Sequence, residues 1–183
     1  MSAQTSKKKF YIIKLDECKY IGGSDNSSTY LMKDNKVVKI YQDPSKCKRD
    51  YNLMTSAPLV YVFPQIYDFF GHYLVRDYIK GTCLKKYIIK NGLNDIATIK
   101  LIKFLEKIYN YKIKHLGIDL NNIFITNTNE FILVDAEYTT CNEDIFDKLF
   151  NDFNNLNVLH KFLAITKNYN ISLYNKWVKT QKA

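Results

Sequence analysis

The apolar pattern of the chain changes period close to Gly81, and that change bounds what it can fold into. Before Gly81 the apolar residues come in short runs rich in Val, Ile, Tyr and Phe: residues 10–15 (FYIIKL), 29–33 (TYLMK), 36–41 (KVVKIY), 65–70 (QIYDFF) and 73–79 (YLVRDYI). Runs of this length and composition, separated by turn residues such as Asp34-Asn35 and Gly71-His72, predict strands. Asp43-Pro44-Ser45 opens a helix with proline in its first turn, running through about Thr55 and stopping before Pro58. After Gly81 the spacing becomes helical. Residues 82–90 form a short helix ended by Asn91-Gly92, and residues 94–112 carry Ile96, Ile99, Ile102, Leu105, Ile108 and Tyr109 on one face. Two short strands, 123–126 and 131–134, flank the turn 127–129, and residues 143–165 and 171–179 return to helix. The expected class is α+β: an antiparallel sheet with one helix over residues 10–80, then a mostly helical part over 81–183, behind a tail at 1–9.

Other features exclude whole classes. No apolar run approaches the roughly 18 residues a membrane helix needs, and the polar, lysine-rich start MSAQTSKKKF is not a secretory signal. The net charge of +9 comes from 27 basic residues, of which only Arg49 and Arg76 are arginine. Nucleic-acid grooves use arginine for forked contacts to phosphate and guanine. The lysines are instead dispersed, as in proteins of AT-rich bacterial or viral genomes, so a nucleic-acid partner is not expected. Cys18, Cys47, Cys83 and Cys141 lie far apart with no CxxC pair, which argues against zinc and against a disulfide framework. Reduced thiols in a cytoplasmic compartment, the organism's own or a host's, are the expected state.

Three segments carry chemistry. The first, residues 21–30, is a small-residue turn between strands that includes Gly22, Gly23 and Ser24. Such residues let backbone N–H groups approach phosphate oxygens, although the same residues also suit a plain hairpin loop. The second is Lys39 in the apolar run Val37-Val38-Lys39-Ile40. A buried ammonium needs an anionic partner, whereas strand alternation also allows Lys39 a solvent-facing position. The third is the stretch 115–125 followed by Asp135-Ala136-Glu137, where Asn122 begins one strand of a hairpin and Asp135 ends the other. An amide oxygen and a carboxylate side by side suit Mg²⁺, which takes few protein ligands and keeps water and phosphate for the rest. Turn formation is the alternative use of these residues.

Taken in order, these segments resemble the protein kinase-like superfamily in a minimal, two-lobed, bacterial or viral form. The 13-residue separation of Asn122 and Asp135 is similar to that between the catalytic-loop Asn and the metal-binding Asp of that family. The resemblance implies ATP and Mg²⁺ as cofactors. It implies that Gly22, Gly23 and Ser24 cradle phosphates, that Lys39 holds the α- and β-phosphates with Asp50 as its partner, and that the backbone at Asp77 and Tyr78 receives the adenine. It further implies Asn122 and Asp135 as metal ligands and Asp119 as the residue orienting an acceptor hydroxyl, with a protein as substrate or partner.

The departures from the family pattern are specific. Ser24 and Ser27 stand where it has its second and third loop glycines, Asp50 replaces Glu, and Asp-Phe-Gly reads Asp135-Ala136-Glu137. Aligned on His115 and Asn122, the catalytic base position is Gly117, and a carboxylate comes two residues later at Asp119. Only 48 residues follow Asp135, too few for the full helical lobe that grips a peptide. Two readings follow: a Ser/Thr phosphotransferase, or a pseudokinase that serves as an interaction or regulatory module.

Overall fold

The computed structural model describes residues 12–56, 61–111, 116–138 and 146–180. They form two compact units. One comprises the described residues up to 56 together with Pro64–Tyr78, and the other comprises 61–63 together with the described residues from Ile79 onward.

The first unit is a five-stranded antiparallel sheet with one helix. Strands β1 (Lys19–Ser24), β2 (Ser27–Leu31), β3 (Lys36–Tyr41), β4 (Ile66–Phe70) and β5 (Tyr73–Asp77) lie in the order β1-β2-β3-β5-β4. Turn chemistry sets the connections. Asn35 has φ 56° in the β2–β3 turn and Gly71 has φ 54° in the β4–β5 turn, the left-handed conformation that Asn and Gly adopt at least cost. Helix α1 (Pro44–Thr55) begins as its sequence dictates. The Asp43 carboxylate accepts the Ser45 N–H at 2.7 Å, and proline occupies the first turn, where its missing N–H costs nothing. Cys47, Asp50, Leu53 and Met54 form its buried face, and Tyr51 stacks on Phe69 of β4 at 4.5 Å. Val37 and Val38 of β3 and Leu74 and Val75 of β5 are buried in the core.

One expected strand is not formed among the described residues. Residues 12–14 of the apolar run 10–15 carry no strand, and Leu15–Glu17 is a single 3₁₀ turn; residues 10 and 11 lie outside the described residues. Ile12 is 86% and Leu15 43% exposed, so these residues have no sheet face to bury against, and apolar character alone does not make a strand.

In the second unit, β6 (Gly81–Cys83) leads into α2 (Leu84–Asn91), and α3 (Asp95–Asn110) follows. Gly92, with φ 66°, ends α2 and returns its N–H to the Ile88 carbonyl at 2.8 Å. Asn94 caps α3 by accepting the Ala97 N–H at 2.8 Å. Leu101, Ile102, Leu105 and Ile108 form the buried stripe of α3, whereas Ile96, in its first turn, is 75% exposed. Strands β7 (Leu116–Gly117) and β10 (Glu137–Tyr138) pair antiparallel around β8 (Ile123–Thr126) and β9 (Phe131–Leu133), which form a hairpin, and β6 pairs with the outer edge of β8. Residues 61–63, which the sequence pattern assigns to the strand-rich part, belong here: the Val62 carbonyl accepts the Leu133 N–H at 2.8 Å.

The helix expected over 143–165 is two helices, α4 (Asp147–Asn155) and α5 (Leu159–Tyr169), with residues 143–145 outside the described residues. The break falls at Asn157, whose φ of 57° no helix accommodates. It lets Phe150 and Phe153 of α4 meet Phe162 of α5 at 6.0 and 4.9 Å. A continuous rod could not fold back to make those contacts. Helix α6 (Ile171–Thr180) adds Trp177, stacked on Phe162 at 5.9 Å and set edge-on to Phe146 at 5.4 Å. This aromatic cluster is the core of the second unit's helical layer.

Candidate functional site

In the first unit, the hairpin of β1 and β2 holds the small residues. Gly22, Gly23 and Ser24 lie in β1 itself, and the turn is only Asp25-Asn26. The small side chains therefore have a local cause. Gly22 has φ 154° at a bulge in the register, and a Cβ on Gly23 would stand 2.5 Å from the Ser27 carbonyl oxygen. The Ser24 and Ser27 hydroxyls meet at 3.2 Å across the closing pair.

Lys39 sits in the centre of β3, between Thr29 on β2 and Leu74 on β5. Its side chain is 5% exposed and its ammonium lies 3.9 Å from the Asp50 carboxylate, itself 1% exposed. The solvent-facing alternative is thus removed, because the residue turns toward α1. Two further residues shape this environment. The Tyr41 ring, two positions along the same strand face, lies 4.8 Å from the Lys39 nitrogen, and Cys47 lies one helical turn before Asp50. Burial, reinforced by the Asp50 charge and opposed by Lys39, pushes the Cys47 thiol up to about 12. The i, i+3 spacing of Cys47 and Asp50 and the i, i+2 spacing of Lys39 and Tyr41 were legible signals that single out neither Cys47 nor Tyr41.

Asp77 ends β5 and Tyr78 follows it. The Asp77 N–H donates to the Gln65 carbonyl at 3.0 Å and the Tyr78 N–H to the Asn35 carbonyl at 3.1 Å. Neither N–H can meet a base without giving up its present acceptor.

In the second unit, the β8–β9 register brings two expected residues together. Ile123 pairs with Leu133, and one step outward the Val134 N–H donates to the Asn122 carbonyl at 2.8 Å, which sets Asn122 and Asp135 at adjacent hairpin ends. Asn122 carries an amide oxygen and Asp135 a carboxylate at these two chain positions. Among the described residues no group of three or more His, Cys, Asp or Glu could hold a metal ion, so any cation at this hairpin needs oxygens from a ligand or water.

Asp119 lies in the preceding loop. Its neighbours Ile118 and Leu120 are fully buried, so alternation turns Asp119 away from the core. Its Oδ1 accepts the Asn121 backbone N–H at 2.7 Å and the Asn121 side-chain amide at 2.9 Å, and its Oδ2 accepts the Lys148 ammonium at 2.7 Å. Burial pushes this carboxyl up. The Lys148 ammonium and the Asn121 donors outweigh that and hold it below the usual aspartate range. Lys148 belongs to α4 and no sequence spacing marks it, because the contact depends on how α4 packs. Gly117 is buried in β7 and offers no side chain. His115 lies outside the described residues.

No protein-family model and no curated protein matches this chain.

Proposed function

We propose that the chain is an ATP- and Mg²⁺-dependent phosphotransferase of minimal protein-kinase type, acting on Ser or Thr of a protein. The observation that carries this reading is the buried Lys39–Asp50 pair. Burying two ions costs several kcal/mol each, and hydrophobic replacements of a buried pair are often at least as stable. A buried ion pair between a sheet and its helix is therefore better explained by a ligand than by stability. In this reading Lys39 binds phosphate oxygens and Asp50 fixes its direction. In the same reading Asn122 and Asp135 would hold Mg²⁺, which when bound neutralises charge on the phosphates. Asp119 orients the acceptor hydroxyl: of the roughly four lone-pair sites on a carboxylate, three are taken by Asn121 and Lys148, leaving one on Oδ2.

The test is thermal stabilisation by ATP with and without Mg²⁺, followed by transfer of labelled phosphate to a mixed protein acceptor. Asp135→Asn is expected to abolish the Mg²⁺ dependence of ATP stabilisation and Asn122→Ala to weaken it. Unchanged metal dependence in both variants would sink the metal assignment.

A second reading is a pseudokinase that binds another protein. The heavy engagement of Asp119, together with the lack of a side chain at Gly117, favours it. ATP binding without transfer to any protein would select it.

A further inference from the structure

We infer that Lys148 of α4 is a positioning residue for Asp119, fixing the carboxylate's rotamer from a helix outside the loop; this rests on the reading of Asp119 as the residue that orients the acceptor. Asn121 donates twice to Oδ1, which holds that oxygen but leaves the carboxylate free to pivot about it. Lys148 donates to Oδ2 at 2.7 Å, and a second fixed point on the other oxygen removes the pivot. The oxygen that Lys148 holds is the one with a lone pair left for a hydroxyl, so the direction of that lone pair is set by the lysine.

The helix start that carries Lys148 is anchored in the core, while the lysine side chain is 47% exposed. Two residues before it, Phe146 is fully buried against Tyr109 at 5.9 Å, Phe150 at 5.7 Å and Trp177 at 5.4 Å. On the other side, the loop is pinned by fully buried Ile118 and Leu120, and the Lys85 N–H of α2 donates to the Leu120 carbonyl at 3.3 Å. Among the described residues, the groups that meet the Asp119 carboxylate are the two neutral Asn121 donors from its own loop and the Lys148 ammonium from α4. Lys148 thus links the helix that carries the aromatic cluster to the carboxylate of the loop. Groups misplaced by about 1 Å from reacting atoms cost on the order of 10²-fold in rate, so the contact has a functional consequence out of proportion to its share of stability.

The experiment uses the full chain labelled with ¹³C-aspartate, in the wild type, Lys148→Met and Lys148→Arg. Three readouts are taken: the NMR titration of the Asp119 carboxyl, the affinity for Mg·ATP, and the rate of phosphate transfer to casein. Expected for Lys148→Met is an Asp119 titration moved to higher pH, Mg·ATP affinity within about twofold of wild type, and transfer reduced on the order of 10²-fold. Lys148→Arg, which keeps the charge and a donor, restores the titration and most of the rate. An Asp119 titration unmoved by Lys148→Met overturns the inference. So does a shift that Lys148→Arg fails to restore while both variants lose thermal stability alike, because that marks a purely structural lysine. If the titration moves and is restored but the wild type transfers no phosphate, the positioning role stands and the phosphotransferase reading falls.

Discussion

Replacing Asp50 tests the feature on which the functional reading stands. Lys39 and Asp50 are 5% and 1% exposed and 3.9 Å apart. At an effective dielectric near 20, opposite unit charges at that separation attract by about 4 kcal/mol. Desolvation of the two ions consumes a similar amount, so the intact pair adds little net stability, whereas stranding one member costs about 3–5 kcal/mol. Asp50→Leu is therefore expected to destabilise the protein by about 3–5 kcal/mol, a drop in melting temperature of roughly 10 °C for a chain of this size. The double variant Lys39→Met with Asp50→Leu is expected to recover to within about 1 kcal/mol of wild type, since it removes both charges. Urea unfolding followed by circular dichroism, run as a double-mutant cycle, reads the coupling directly. The same double variant should have lost its stabilisation by Mg·ATP, which in the wild type would reach about 2.7 kcal/mol at a hundredfold excess over Kd. A single-variant loss below about 1 kcal/mol, or a coupling near zero, would refute the argument that the pair is a buried, mutually dependent unit. A double variant still stabilised by Mg·ATP as strongly as wild type would refute the phosphate role of Lys39.

Gly23→Ala puts a Cβ 2.5 Å from the Ser27 carbonyl oxygen and is expected to cost about 1–3 kcal/mol with faster amide exchange in the β1–β2 hairpin; unchanged exchange there would contradict the tight crossing. Asp119 has its proton affinity lowered in the folded state, so its contribution to stability is present above the unfolded value of about 3.9 and is lost as pH falls through the folded value. The stability gap between wild type and Asp119→Asn should therefore be full at neutral pH and close in acid, and a gap that widens in acid would reverse the sign. Cys47 is fully buried with its thiol pushed up to about 12, so at pH 8 iodoacetamide should modify it only once urea opens the first unit. Native modification at the denatured rate would show that α1 does not seal it.

The sequence by itself determined the parts whose causes are local. The Asp43-Pro44-Ser45 start of α1, the Asn35 and Gly71 turns, the Gly92 stop and the β8–β9 hairpin are written in residues within a few positions of each other. The adjacency of Asn122 and Asp135 belongs with them, because a two-strand register follows from the hairpin that makes it. Tertiary structure decided the rest. Ile12, Ile13 and Leu15 are apolar, yet without a sheet face to cover they form no strand, while the three-residue β6 exists only because the edge of β8 is there to pair with it. The helical period runs smoothly through 143–165, and the aromatic rings of α4 and α5 force the fold-back at Asn157. Alternation left Lys39 two possible faces, and only the packing of α1, with Asp50 on its inner side, chose the buried one. Lys148 lies 29 residues from Asp119, and no spacing rule spans that interval. Local backbone preferences are encoded within a turn or two of chain, whereas burial and ion pairing depend on which surfaces meet, a property of the folded chain as a whole.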